Sequence, residues 1–144
     1  TVLTDGATHP TEVVSSGSIT LDEPGMVVHV GMGYDSRVKL MPVADSNANF
    51  DTRGKMQRVY EMKIRFHETL GAKIGKNEDN LDTIPFRKTS DLIGVAPPLR
   101  SELLELNIGM EYTKEAGGVI LQESKNALPL TILSVIREVA IHGV

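Results

Sequence analysis

The chain has 144 residues and a mass of 15.7 kDa, with 40% hydrophobic and 24% charged side chains; this suits one domain with a real core, or two small β units sharing one. A net charge of −4 and a pI near 5.5 argue against tight, specific nucleic-acid binding, which asks for a basic stripe, but leave room for a surface past which nucleic acid slides. No window approaches the roughly 20 apolar residues of a membrane span, and the absence of cysteine removes disulfides, thiolate metal sites and cysteine catalysis without fixing a compartment.

Residues 1–4 read as a short strand closed by Asp5-Gly6, a hairpin signal because glycine accepts positive φ without steric cost. The chain opens on Thr1-Val2-Leu3 with no initiator methionine and no signal peptide, so a segment of a longer polypeptide is expected. Further strands are expected over 12–14 and 18–21, separated by the turn Ser15-Ser16-Gly17, and over 26–30, where His29 interrupts an apolar run and reads as a core or interface histidine. Gly31 and Gly33 break the pattern at a bend, residues 37–41 resume a strand, and 44–54 read as a polar loop.

Residues 56–66 carry the clearest periodicity. Tyr60, Met62, Ile64 and Phe66 alternate with Glu61, Lys63, Arg65 and His67, as in a strand with one face on a core and one in water. Residues 67–87 read as a long turn rich in glycine and charge, ending in Ile84-Pro85-Phe86-Arg87. Residues 102–106 fit a helical turn or a strand, with Asn-Ile-Gly behind them favouring strand. Residues 119–122 and 130–141 read as strands, the last through its β-branched content. The expected fold is therefore all-β: small β-sandwich or barrel-like units with long loops and little helix. The expected division is a small β subdomain over 1–31, continuing a domain from upstream, and a C-terminal β domain over 32–144.

Little in the chain has the form of a chemical apparatus. Asp45, Ser46, Asn47, Asn49 and Asp51 imitate the start of a calcium loop, but Phe50 stands where a sharp turn is needed and Met56 where a bidentate carboxylate is needed. The run from Asn77 to Asp82 is dense in carboxylates, as turn tips often are. His9, His29, His67 and His142 lack the spacing of a local metal pair. No Gly-x-Ser-x-Gly elbow, P-loop or dinucleotide fingerprint is present. No catalytic residue, metal ligand or cofactor is assigned, and a non-enzymatic role is expected. Arg53, Lys55, Arg58, Lys63 and Arg65 make a local basic run, either a docking face for an acidic partner or a solvated sheet face that deters aggregation.

Several strings go further. Asp5-Gly6, Ser16-Gly17-Ser18-Ile19-Thr20-Leu21, and Val28-His29-Val30-Gly31 followed by Tyr34 and Ser36 come first. Glu68-Thr69-Leu70-Gly71-Ala72-Lys73-Ile74-Gly75 follows, then Asp82-Thr83-Ile84-Pro85-Phe86-Arg87, and Pro129-Leu130-Thr131-Ile132-Leu133 before Ile136 and Val139. In this order, over most of the chain, they resemble the C-terminal region of the tail nozzle, or tail tubular protein B, of short-tailed bacteriophages (podoviruses). Where that family reads Val-Gly-Leu-Pro-Tyr, this chain has Val30-Gly31-Met32-Gly33-Tyr34.

The resemblance implies a structural virion protein of the tail, made in the host cytoplasm. It would form a closed ring of identical subunits, hexameric in the family, at the distal end of the tail tube. The implied partners are the other ring subunits, the neighbouring adaptor and fibre proteins, and double-stranded DNA passing without sequence recognition, with no membrane span. Met32, Tyr34, Lys63 and Arg65 are the candidate subunit-interface residues. The alternatives are a receptor- or carbohydrate-binding β module of a phage tail or cell-surface protein, against which the lack of tryptophan and the 4% aromatic content weigh, and a hydrolytic tail enzyme.

Overall fold

A computed structural model describes residues 1–44, 46–47, 50–117, 120–122 and 127–142; for 46, 47, 50 and 120–122 it describes the backbone alone. The fold is all-β. Twelve strands are formed among the described residues: β1 (Val2–Thr4), β2 (Ala7–His9), β3 (Val28–Val30), β4 (Arg37–Lys39), β5 (Ser46–Asn47), β6 (Phe50–Asp51), β7 (Gln57–Phe66), β8 (Lys73–Asn77), β9 (Asn80–Thr83), β10 (Leu103–Asn107), β11 (Ile120–Gln122) and β12 (Ile132–Ile141). They pair antiparallel in sheets ordered β2-β1-β3, β10-β7-β12 and β4-β11-β8-β9, with β5-β6 as a separate hairpin. Among the described residues no helix is long and apolar enough to cross a membrane.

The Asp5-Gly6 signal is realised as a two-residue turn with both residues at positive φ, 50° and 82°, the geometry that matches the twist of a hairpin. This fixes the partner of β1 as β2, directly after the turn, and not the expected strand over 12–14. Once Thr4 faces Ala7 the ladder is set. Residues 10–27 then form an excursion that contains the bridge Ser15 to Ser18, and the expected strand over 18–21 is likewise not formed. The excursion returns through Asp5, whose carboxylate accepts hydrogen bonds from the Met26 and Val27 amides at 3.1 and 2.8 Å and so starts β3.

The main core lies between the β7 and β8 sheets. Val59, Met62, Ile64 and Phe66 of β7 are buried together with Ala72, Ile74, Ile84, Phe86, Ile108 and Met110. Phe66 meets Phe86 edge to face, with ring centroids 5.3 Å apart, a favourable aromatic geometry. The alternation in β7 breaks once. Val139 of β12 faces Val59 while Glu138 faces Glu61, so Tyr60 is the extra residue of a bulge. Gln57 and Val59 therefore point inward from odd positions, and Met62, Ile64 and Phe66 from even ones. Tyr60, expected in the core, is exposed, and its hydroxyl donates to Glu138 Oε2 at 3.0 Å.

The stretch expected as one long turn holds a hairpin. β8 and β9 pair around the two-residue turn Glu78-Asp79, where Asn77 Oδ1 accepts from the Asn80 amide at 2.9 Å. Gly75 sits at the irregularity of this ladder, where a Cβ would lie 1.8 Å from the Asn80 carbonyl oxygen. The ambiguous stretch 102–106 resolves as a strand, β10 over Leu103–Asn107, because Leu104 and Leu106 pair with Ile64 and Met62 and pack against the core.

Candidate functional site

The four candidate interface residues lie on two different elements. Met32 and Tyr34 stand on the connection between β3 and β4, where their side chains are 96% and 71% exposed. Lys63 and Arg65 lie on the outer face of the β10-β7-β12 sheet. Cross-strand pairing there places Glu105, Lys63 and Ile136 in one row, Leu103, Arg65 and Ser134 in the next, and Asn107, Glu61 and Glu138 on the other side.

This row structure decides the reading of the basic run. Lys63 Nζ lies 3.2, 3.6 and 3.4 Å from carboxylate oxygens of Glu61, Glu105 and Glu138. Its pKa is raised, first by the hydrogen bond to Glu61 and then by Glu138. The Tyr60 hydroxyl is also raised, chiefly by Glu138. Arg53 is engaged by Asp51, and the Arg58 guanidinium lies 5.5 Å from the centroid of the Tyr112 ring. The run is thus dispersed over separate partners, and three carboxylates surround the lysine at its centre. Strand alternation and cross-strand pairing set glutamates around Lys63, which offset its charge on this face.

One or two described residues of each candidate metal segment are engaged by other side chains. Of the 45–51 segment, residues 45, 48 and 49 lie outside the described residues, and Asp51 is held by Arg53, whose Nε and Nη2 donate to both carboxylate oxygens at 2.7 to 3.1 Å. That pairing lowers the Asp51 pKa to about 2. In the second segment Glu78 pairs with Arg37 at 2.6 Å, and Asn77 caps its own turn. A grouping that sequence spacing did not reveal is His9, Glu12 and Asp22, whose ligand atoms all lie within 4.8 Å of one another. Both ring nitrogens of His9 have neighbours: Nε2 accepts from the Asp22 amide at 3.3 Å, and Nδ1 lies 3.0 Å from the Pro10 carbonyl. The ring ties the 10–22 excursion to β2.

His67 Nδ1 lies 3.4 Å from Ser101 Oγ, which accepts from the Glu68 amide. Among the described residues no carboxylate hydrogen-bonds this ring, so the pair lacks the orienting third group of a triad. His29, expected as a core or interface histidine, is not in the core: β3 is an edge strand and leaves the ring exposed.

What periodicity did not foretell is the extent of exposed apolar surface. The β3 segment presents Met26, Val27, Val28, Val30, Met32 and Tyr34 to solvent; Leu92, Ile93 and Val95 form an apolar loop tip; and Leu133 and Ile136 are exposed on β12. The tip is held from behind. Arg87 Nη2 donates to the Val95 carbonyl at 2.7 Å, and Arg100 Nη2 lies 2.6 Å from both oxygens of Asp91. No protein-family model and no curated protein matches the chain.

Proposed function

We propose that this chain is a structural subunit of the tail nozzle of a short-tailed bacteriophage, a non-enzymatic wall element of a closed ring through which the genome leaves. The observation that carries this reading is the run of exposed apolar side chains Met26, Val27, Val28, Val30, Met32 and Tyr34, a surface that a subunit contact would cover. The exposed segment 26–34 also carries part of the nozzle-like wording. The acidic chain and the carboxylates around Lys63 suit a conduit that must not grip DNA.

Electron microscopy of the protein is the direct test. A closed ring with an axial channel is the expected result, and a monomer or a trimeric fibre rejects the reading. One observation favours the alternative of a carbohydrate-binding module: Tyr60 and Tyr112 line a shallow hollow of about 430 Å³ with Arg58 and Glu111. On that reading Tyr112→Ala abolishes retention on an immobilised cell-surface glycan; on the nozzle reading the unaltered protein is not retained.

A further inference from the structure

From Leu92 to Leu99 the chain reads Leu-Ile-Gly-Val-Ala-Pro-Pro-Leu, with no charged or hydrogen-bonding side chain. A turn over Ile93 and Gly94, with Gly94 at φ 82°, carries the run outward; that is backbone geometry glycine adopts without steric cost. Leu92, Ile93 and Val95 are left 75%, 94% and 58% exposed. Apolar clusters of this kind mark sites that meet a protein or a membrane.

The turn stands on a firm base. Thr69 and Arg100 exchange backbone hydrogen bonds at 2.9 and 3.0 Å, and the Asp91 carboxylate accepts from the Lys88 amide at 2.8 Å and from Arg100. Behind the apex lies the Arg87 guanidinium, with Nη1 3.3 Å from the Leu92 carbonyl oxygen and Nη2 2.7 Å from that of Val95. Two carbonyls of the turn are thus satisfied from within the chain, and Pro97 and Pro98 have no amide that needs a partner. Backbone satisfied internally is the condition for leaving water for an apolar medium.

We infer that the 92–95 turn is a lipid-inserting tip, which lowers Leu92, Ile93 and Val95 to the boundary between headgroups and acyl chains of a bilayer that carries anionic lipids. Size and charge select lipid over a protein partner. A stable protein interface takes roughly 800 Å² from each partner, more than three side chains offer. In a bilayer each apolar side chain gains on its own, because acyl chains reshape around it. Segment 87–100 carries Arg87, Lys88 and Arg100 against Asp91 alone, in a chain whose net charge is −4. Arg87 is in no ion pair among the described residues and stands behind the apex, where the phosphate layer lies once the tip is seated. Asp5 and Glu23 share a cleft with Val95 and limit the depth, so the insertion stops at 92–95. A single chain suffices for this contact, and the inference stands apart from the ring reading.

The chain has no tryptophan, so Ile93→Trp installs one fluorescent reporter at the apex and Val13→Trp one at an exposed site elsewhere. With vesicles of phosphatidylglycerol and phosphatidylethanolamine, the Ile93→Trp emission is expected to shift to the blue and to be quenched by lipids brominated on their acyl chains. The Val13→Trp emission is expected to do neither. Ile93→Asp is expected to weaken co-sedimentation with the same vesicles about tenfold or more, with a far-ultraviolet dichroism spectrum like that of the unaltered protein because Ile93 lies outside the core. Ile93→Trp emission that the vesicles leave unchanged overturns the inference. Co-sedimentation that survives Ile93→Asp also overturns it and assigns the attachment to charge alone. Emission from Ile93→Trp that is already blue-shifted without vesicles, together with self-association, overturns it in favour of a second copy as the occupant.

Discussion

Gln57 is a buried polar side chain at the start of β7, and its role is to hold the segment before it. Its Nε2 donates to the Val43 carbonyl at 2.7 Å and lies 3.3 Å from the Thr52 carbonyl, and its Oε1 accepts from the Val43 amide at 3.0 Å. Removing it strands partners that have little access to water, so Gln57→Ala is expected to cost about 1–3 kcal/mol, read as a lower urea midpoint. Asp91 does comparable work for the apolar loop tip. Hydrogen bonds from Arg100 first, and from the Lys88 amide second, hold its carboxyl below its ordinary value of 3.8. A depressed carboxylate adds stability that is present above its unfolded pKa and is lost as pH falls through the folded value. Residues 88–100 are therefore expected to become protease-sensitive on acidification below about pH 4, whereas Asp91→Asn, which lacks the titrating group, should be sensitive already at neutral pH.

At the scale of elements, the β8–β9 hairpin depends on the bare backbone of Gly75. A methyl group there would meet the Asn80 carbonyl carbon as well as its oxygen, at 2.7 and 1.8 Å, and neither can move without opening the ladder. Gly75→Ala is expected to speed amide exchange at Leu81 and Asp82 while leaving β7 protected; unchanged exchange in β9 would show that the ladder tolerates the methyl. The β7 strand itself was legible from residues 56–66, because a period of two on an amphipathic stretch admits few other conformations. Its bulge was not. Whether Tyr60 points in or out depends on the register of β12 at Glu138, 78 residues away, and no local pattern encodes that pairing. The β8–β9 hairpin escaped for a related reason: Lys76 to Asp82 is too polar to show a buried face, and its strands are held by neighbours.

For the whole molecule, the β7 and β8 sheets share one core, so they should unfold together. Phe66→Ala removes a side chain in contact with Phe86 at the centre of that core and is expected to cost about 3–5 kcal/mol. Fluorescence of the tyrosines and far-ultraviolet dichroism should shift to the same lower midpoint; separated midpoints would mean independently folding sheets. The exposed apolar surface adds nothing to the stability of the lone chain.

The all-β class, the Asp5-Gly6 turn and the central strand were determined by the sequence, since each follows from local sterics or a period of two. The absence of a membrane-length apolar segment was equally plain in composition. The tertiary structure alone decided which strands pair, that Lys63 stands among three glutamates, and that residues 26–34 and β12 end as uncovered edges. Those facts arise from contacts between residues far apart in the chain, where burial and charge depend on what lies opposite and not on what lies next.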